Sequence, residues 1–395
     1  MSNINFIRKR TIIFLPKKGN SEKEQLNNCL FDLTEKLVYL NIDSHNILKQ
    51  SVFLKAKSNE QFLEKKEILK NILEKYFSKT IPPTSIISQA PANGAEVAME
   101  VVCALNSDNN IKIESKSIEN INYKVVSNGD YAEIFAGGLT SSDLSIDIEK
   151  QSEITFQKMN AILMNENFNF SSVIRQWNYI ENIYSASKSD GKLTQNYQIF
   201  NDVRSEYYQK DEFKNGYPAA TGIGMDVGGV VIDFIASSLS KHISIHSVNN
   251  PLQIDAHQYS EDVLIGEMDN KKTSPKFERA KTVSNNILGD IYISGTAAIK
   301  GEETIEQSGI VSQTIATIEN INELITVNNL RKNGIEVSNN SVTMSSLRVY
   351  LKNEYDLSKA KELCEQYFPN VSTLYLIADI CRENLIVEIE GKANF

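Results

Sequence analysis

The chain has few of the residues from which metal centres, disulfide frameworks and nucleophilic sites are usually built. Its 395 residues include 4 cysteines, 4 histidines and 1 tryptophan. The cysteines, at positions 29, 103, 364 and 381, are scattered and show no pair at metal-binding spacing, which excludes a dense disulfide framework. We therefore expect a protein of the reducing cytoplasm.

Long apolar runs and basic surfaces are also lacking. The basic residues 8–10 are followed by an apolar run of only residues 11–15, which is too short for a signal peptide or a membrane span. With 41 basic and 50 acidic residues the formal charge is −9, which argues against a nucleic-acid surface. A small anionic substrate is compatible with this charge if a few placed arginines bind it.

Recognisable cofactor motifs are absent too. There is no Gly-rich phosphate loop and no nucleophile elbow, and the glycines at 222 and 224 do not open a helix as a dinucleotide fingerprint would. His242 and His246 are four residues apart, as a metal pair on a helix would be. Residues 241–246 alternate like a strand, however, which favours a structural or surface role over metal ligation.

What the sequence does contain is a recurring order of strand and helix patterns. The apolar strand at 385–391 has two weaker echoes, at 229–235 and 96–102. A second strand pattern, which comes before a helix-like stretch in each case, recurs at 52–55, 177–180 and 349–352. This order predicts one α+β unit written three times. The alternative is that any α+β chain echoes its own strand and helix pattern.

The predicted units cover residues 1–110, 123–245 and 246–395. In the first, we expect helices over 22–40 and 60–77 and a hairpin over 85–103, with a polar link at 106–122. Residues 246–285 are an insertion without a counterpart in the other units. An insertion of this length in a compact fold predicts a lid or a wall of a site.

The densest unusual chemistry lies between residues 175 and 224. Arg175, Trp177 and Tyr179 share one face of a predicted strand. An arginine beside two aromatic side chains can hold a carboxylate and a ring. The spacing alone slightly favours the alternative, in which the aromatic residues belong to the core and Arg175 pairs with an acid.

These residues resemble a known family. The blocks Arg175-x-Trp-Asn-Tyr, Tyr197-Gln-x-Phe-Asn with Arg204, and Pro218-Ala-x-Thr-Gly-Ile-Gly224 are similar to those of chorismatases, and so are the later blocks Ser274-Pro-x-Phe-x-Arg-Ala280, Ile293-Ser-Gly-Thr-Ala-x-Ile299 and Asp379-Ile-Cys-Arg with the strand up to Gly391. The resemblance covers about residues 130–395. One departure is Asp202-Val203 before Arg204, where a glycine is commoner.

The resemblance also implies an architecture. Each unit resembles the RidA (YjgF-type) fold, whose free-standing members form trimers with sites between subunits. The expected fold is therefore α+β, with three RidA/YjgF-like repeats in one chain forming a pseudo-trimer, the first of them degenerate. We expect a monomer built on this internal pseudo-trimer.

Chorismatases remove the enolpyruvyl side chain of chorismate as pyruvate. One subtype leaves a dihydroxycyclohexadiene carboxylate and another yields 3-hydroxybenzoate. Gly295 and Cys381 resemble the hydroxybenzoate-forming type, although a lone cysteine is more often an inert core thiol. The resemblance implies chorismate as substrate and neither a metal nor an organic cofactor.

The same resemblance assigns the site. Chorismate has two carboxylates, and the candidate cations are Arg175, Arg204 and Arg348. Glu388 is the expected general acid, with Glu390 as second choice, because burial beside an anion would keep its carboxyl protonated; without the resemblance, a surface glutamate would be the preferred interpretation. Our alignment places Asp233 and Met99 at the positions equivalent to Glu388. The remaining substrate-binding candidates are Tyr197, Thr221, Gly222, Gly295 and Cys381.

Three other functions remain open at this point. The first is the hydrolytic chorismatase reaction, and the second is a RidA-like enamine or imine deaminase that would leave chorismate untouched. The third is a non-catalytic module that binds a small acid.

Overall fold

The computed structural model describes residues 6–78, 80–105, 111–189, 192–260, 273–285, 287–305 and 309–395, without the side chains of residues 188–193. The first unit of the chain forms a four-stranded sheet covered by two helices. Its strands are β1 (Lys9–Phe14), β2 (Ile47–Leu54), β3 (Thr84–Ile87) and β4 (Val97–Ala104), and its helices are α1 (Glu22–Leu40) and α2 (Asn59–Phe77).

Both helices of this unit begin at a serine. The hydroxyls of Ser21 and Ser58 accept hydrogen bonds from the backbone N–H groups of Glu24 and Gln61, which satisfies otherwise unpaired donors at the helix starts. Helix α1 ends at Asn41 in the left-handed conformation. The predicted helices at 22–40 and 60–77 are therefore confirmed to within one residue.

The second unit forms a six-stranded sheet, with a separate two-stranded ribbon beside it. The sheet strands are β5 (Lys112–Ile118), β6 (Ile121–Asn128), β7 (Tyr131–Thr140), β8 (Val173–Glu181), β11 (Ala219–Met225) and β12 (Val230–Ser237). The ribbon consists of β9 (Ala186–Ser189) and β10 (Lys192–Gln195). Two helices belong to this unit, α3 (Ile148–Asn165) and α4 (Asn196–Tyr208).

The third unit forms another six-stranded sheet. Its strands are β13 (Ser244–Val248), β14 (Ala280–Ser284), β15 (Gly289–Ala297), β18 (Thr343–Leu351), β19 (Ser372–Ile377) and β20 (Val387–Asn394). A small ribbon joins β16 (Ile299–Lys300) to β17 (Glu303–Thr304), and the helices are α5 (Ile310–Leu324), α6 (Val327–Lys332) and α7 (Leu357–Tyr367). Short 3-10 turns cover Ser44–Asn46, Phe170–Ser172, Ala256–Gln258 and Glu354–Asp356.

One strand order recurs in all three sheets. The orders β1-β4-β2-β3, β7-β12-β8-β11 and β15-β20-β18-β19 each place the fourth strand of a unit between its first and second, and the third strand parallel to the second. A helix precedes the second strand and another precedes the third in every case. The repeated order predicted from the sequence is thus present at the level of topology.

Three sequence predictions about this order are wrong. Strands β3 and β4 are not a hairpin, because β3 pairs with β2 and β4 lies on the other side of β2. The polar stretch at 106–122 is not only a link, because β5 and β6 form a hairpin on the edge of the second sheet; residues 106–110 lie outside the described part. The insertion at 246–285 has a partial counterpart, because its strands β13 and β14 extend the third sheet as β5 and β6 extend the second.

The two edge hairpins differ mainly in their connections. β5 and β6 are joined by a tight turn at Glu119 and Asn120, both with positive φ, whereas β13 and β14 are separated by residues 249–279. The described parts of this connection, residues 249–260 and 273–279, provide a wall that the second unit lacks. No helix in the described residues is long and apolar enough to cross a membrane.

Candidate active site

Equivalent positions of the three units can be assigned from strand register. On the fourth strands, Glu100 lies opposite Ser51, Asp233 opposite Trp177 and Glu390 opposite Arg348. Glu388 lies opposite Tyr350, so its counterparts are Val231 and Ala98. Our sequence alignment of Glu388 with Asp233 and Met99 is therefore wrong, and Glu388 is an acid that only the third unit has at this position.

The three equivalent acids pair with cations from other units in a cyclic pattern. Arg348 of the third unit donates from its Nε to Glu100 of the first at 2.9 Å. Lys49 of the first unit lies 2.6 Å from Asp233 of the second. Arg175 of the second unit lies 2.6 Å from Glu390 of the third. Because every one of these charges is buried, each pair anchors one unit to the next.

Glu390 is held by a dense set of donors. Besides Arg175, it accepts from Trp177 Nε1 at 2.8 Å and from the Thr221 hydroxyl, and Arg348 lies 3.3 Å away. Burial favours a higher pKa for Glu390, but these cations and hydrogen bonds outweigh it and hold the pKa below its ordinary value. Glu390 is therefore ionised and fully engaged, which removes it from the candidates for proton donor.

Glu388 lies two residues earlier on β20 in a different environment. Burial, and then the negative charge of Glu390, raise the pKa of Glu388 to about 8, although Arg175 acts against this shift. The pKa values of these two neighbouring carboxyl groups therefore differ, so that at neutral pH Glu390 is ionised and Glu388 is protonated. Such a split is the usual way in which a protein keeps a carboxylic acid available as a proton donor.

Glu388 lines a cavity of about 650 Å³ between the second and third units. Its floor is the bulge at Ser294-Gly295 in β15, opposite Glu390. A Cβ atom at Gly295 would overlap the Glu388 carboxyl, so glycine at this position leaves room for the acid.

Several sequence-predicted residues meet at this cavity. Tyr197, Gly295, Cys381 and Glu388 line it, and Thr221 and Gly222 adjoin it, since Thr221 packs beside Gly295 and Gly222 against the Tyr197 ring. Burial, and then the charge of Glu388, raise the pKa of the Cys381 thiol to about 12. Cys381 is therefore a neutral thiol, and it can shape the cavity but not attack a substrate.

The three predicted arginines do not line the cavity. Arg175 is buried and forms an ion pair with Glu390, and Arg348 is buried and forms an ion pair with Glu100. Each positive charge therefore already has a carboxylate partner. Arg204 lies behind Tyr197, buried, and donates to Asn201 Oδ1 at 2.6 Å. In the structure both side chains bind buried carboxylates of other units, and their role in binding a substrate carboxylate stays a prediction.

Two arginines that sequence reasoning missed face the cavity instead. Arg279 donates to the Tyr259 hydroxyl at 2.6 Å and to the Ile254 carbonyl, and Arg382 donates to the Glu302 carbonyl at 3.0 Å. Neither is in an ion pair with a described carboxylate. Both stand in blocks that carry the family resemblance, but the sequence of these blocks does not indicate which cavity their side chains face.

The rest of the cavity wall is largely aromatic and apolar. Residues from the long connection and from the strands around it supply this lining, namely Tyr259, Pro275, Phe277, Ala297, Ile299 and Leu385. Within the described ranges, no cluster of three or more His, Cys, Asp or Glu side chains could hold a metal ion. The cavity thus combines one protonated acid, two unpaired arginines and an apolar wall.

Comparison with known proteins identifies relatives that match more than half of the chain. A family profile described as "Chorismatase FkbO/Hyg5-like, N-terminal" matches residues 112–236. A 3-hydroxybenzoate synthase of Streptomyces hygroscopicus is 31% identical over 232 residues, which cover 57% of this chain and 64% of that protein. A chorismatase of Streptomyces rapamycinicus is 29% identical over 226 residues, 56% of this chain and again 64% of the relative.

The structural comparison extends over nearly the whole chain. A crystal structure described as that of a chorismatase superposes with a TM-score of 0.70 at 18% identity, covering 98% of each chain. The sequence matches, in contrast, span just under two thirds of the curated relatives' length. In fold along nearly the whole chain and in sequence over the matched segments, the protein is similar to chorismatases.

Proposed function

We propose that this protein removes the enolpyruvyl group of chorismate as pyruvate, with aromatisation of the ring to 3-hydroxybenzoate. The observation that carries the proposal is the protonated Glu388 carboxyl in a cavity that also holds two unpaired arginines. Chorismate needs all three, because it has two carboxylates to bind and an enol ether to protonate. The three units would form a single-chain pseudo-trimer of RidA-like repeats, an arrangement that the cyclic ion pairs favour.

The binding step follows from the charges around the cavity. Arg279 and Arg382 each have guanidinium N–H groups beyond those used in their own hydrogen bonds, and a guanidinium binds a carboxylate through two parallel N–H groups. The ring would lie between Gly295 on the floor and the aromatic wall of Tyr259 and Phe277.

The chemical step follows from the acid. Glu388 would transfer its proton to the methylene carbon of the enol ether, while the oxygen of the neighbouring ring hydroxyl attacks the ring carbon that carries the ether. The bond between that carbon and the ether oxygen breaks, pyruvate leaves, and the hydroxyl proton passes to the Glu388 carboxylate, which restores the acid. The resulting ring epoxide opens at the carbon that originally carried the hydroxyl, and the hydrogen on the carbon that keeps the oxygen is lost, which gives 3-hydroxybenzoate. The atoms of chorismate equal those of 3-hydroxybenzoate plus pyruvate, so this route consumes no water.

The decisive experiment is to incubate the purified protein with chorismate and identify both organic products. We expect pyruvate and an aromatic 3-hydroxybenzoate in equal amounts. A non-aromatic diol would assign the hydrolytic reaction instead. Release of ammonia from imino acids, with chorismate left intact, would assign a deaminase, and binding without turnover would assign a non-catalytic module.

The Gly295→Ala substitution tests how the floor of the site controls the product. The added methyl would overlap the Glu388 carboxyl, whose side chain can swing away because it is the end of a flexible chain. We expect the protein to stay folded, with kcat/KM for chorismate lowered by about tenfold to a hundredfold through misplacement of the acid, and a larger share of hydrolytic product.

Product ratios by chromatography and folding by circular dichroism measure both effects. Gly301→Ala is the matched control, because no atom lies within 4 Å of the added carbon there, although its positive φ adds some strain. An unchanged rate and product ratio in Gly295→Ala would contradict the assigned position of the substrate.

A further inference from the structure

A second cavity lies at the junction of the first and second units, at the positions equivalent to those of the candidate active site. It has a volume of about 790 Å³ and is lined by residues from α2, from the β5–β6 turn and from β7. The candidate active site uses the equivalent α4, the long connection between β13 and β14, and β15. The two cavities are therefore built by the same elements of successive units.

The floors of the two cavities match in detail. In the second cavity the floor is the bulge at Gly137-Gly138 in β7, opposite Asp233, as Ser294-Gly295 lies opposite Glu390. Behind it, Asp233 is matched by Lys49 and by the Ser85 hydroxyl, as Glu390 is matched by Arg175 and Thr221. Ser85 and Thr221 occupy equivalent positions on the third strands of their units. Ser85 lies opposite Ser51, which faces Glu100, and Thr221 lies opposite Trp177, which faces Asp233.

The acid of the active site has no counterpart in the second cavity. Val231 lines it at the position equivalent to Glu388. No carboxyl group lines the cavity within the described ranges, so it lacks the carboxylic acid that the proposed reaction uses. A ligand of this cavity would be bound and released unchanged.

The charge of the second cavity is positive. Lys66 and Lys70 of α2 line it, and Lys158 stands at its edge, where its Nζ donates to the Thr140 carbonyl at 2.6 Å. Lys66 is half-buried and pairs with no carboxylate among the described residues, and burial together with the charges of Lys158 and Lys70 lowers its pKa. An anion at this place would relieve the repulsion between the three ammonium groups.

The remaining lining selects the shape of that anion. Apolar side chains of Leu73, Ile81, Pro82, Ile86 and Ile121 cover the wall, and Asn120 and Asn122 offer amide groups at the rim. We propose that this cavity is a second, non-catalytic site that binds a small cyclic carboxylate. The ligand class rests on the proposed function, since chorismate and 3-hydroxybenzoate are both small cyclic carboxylates. The cavity and its positive charge are observed independently of that function.

Benzoate is a suitable probe, and methyl NMR of the full-length chain can read both cavities separately. Val231 and Ile121 report on the second cavity and Leu385 on the candidate active site. We expect saturable shifts of the Val231 and Ile121 methyl signals. Lys66→Gln should weaken this binding by about tenfold or more, because it removes the half-buried cation. Lys75→Gln, which removes the same charge from an exposed position of α2, should leave the affinity unchanged.

Each other result would overturn the proposal. No saturable shift at Val231 and Ile121 would show an empty cleft, and shifts with inorganic phosphate but not with benzoate would show a site for small oxyanions. Equal affinities in the parent and in Lys66→Gln would place the ligand elsewhere. If the proposed function is wrong, chorismate turnover and Leu385 shifts are absent, and this outcome does not depend on the Val231 and Ile121 signals.

Discussion

Replacing Glu388 by glutamine should lower kcat for chorismate by about 10³-fold, because the amide has the shape of the acid but no proton to transfer. The protein should fold and should still bind substrate, since Glu388 has no cation of its own to release. Steady-state kinetics and a ligand-binding titration separate the two effects. Glu383→Gln, which changes a glutamate at an exposed position, is the matched control and should retain full activity.

The pH dependence of the parent enzyme should identify the same group. Because the acid must be protonated and its pKa is about 8, kcat/KM should be level near neutrality and fall about tenfold per pH unit above pH 8. If Glu388→Gln retains the activity and the alkaline limb of the parent, the proton comes from another residue.

The same substitution should stabilise the protein at alkaline pH. The carboxyl is ionised in the unfolded chain above its ordinary pKa but stays protonated in the folded state up to about pH 8, so the folded state binds the extra proton and parent stability falls as pH rises through this range. At pH 8 we expect Glu388→Gln to raise the free energy of unfolding by about 2–4 kcal/mol. Denaturant titrations at pH 5 and pH 8 measure the difference, which should be small at pH 5.

Replacing Arg348 by methionine should lower the free energy of unfolding by about 3–5 kcal/mol. Arg348 is buried, pairs with Glu100 of another unit through two N–H groups, and donates to the Tyr179 hydroxyl at 2.7 Å. Its removal leaves the Glu100 carboxylate buried without its cation. Urea unfolding measures the loss, and Arg10→Met, at an exposed position of β1, should cost far less.

This variant also distinguishes two roles for Arg348. If it ties units together, as the structure places it, KM for chorismate should change by no more than about threefold under conditions where the variant is folded. If it binds a substrate carboxylate, as the sequence suggested, KM should rise by a much larger factor while stability changes little. Measuring both quantities on one preparation decides between them.

Local patterns account for what the sequence predicted well. The bounds of α1 and α2 agree with the structure to within one residue because helical periodicity and capping residues act over a few neighbours. The pairing of β3 with β2 rather than β4 could not be predicted, since it depends on which strands a crossover helix brings together. Strand propensity says where a strand is, but not which strand lies beside it.

The candidate site, too, was predictable from the sequence only in part. Both Glu388 and Glu390 read as acids on alternate positions of one strand, and only the cross-unit partners of Glu390 show which of them is ionised. Asp233 was aligned with the wrong glutamate because the register is fixed by pairing with β8 and not by local similarity. Arg279 and Arg382 were missed because nothing in their own segments indicates which cavity they face.

The cyclic ion pairs have a consequence for how the protein is made. Glu100 belongs to the first unit to leave the ribosome, whereas its partner Arg348 follows 248 residues later. Until that strand has been synthesised, the first sheet holds a carboxylate in its interior face without a cation, and the contact of Lys392 with the Lys9 carbonyl, 383 residues apart, cannot form. The first units therefore lack some of their ion-pair partners during translation. We expect the cyclic set of ion pairs to be completed late, at a rate limited by the contacts that are most distant in the chain.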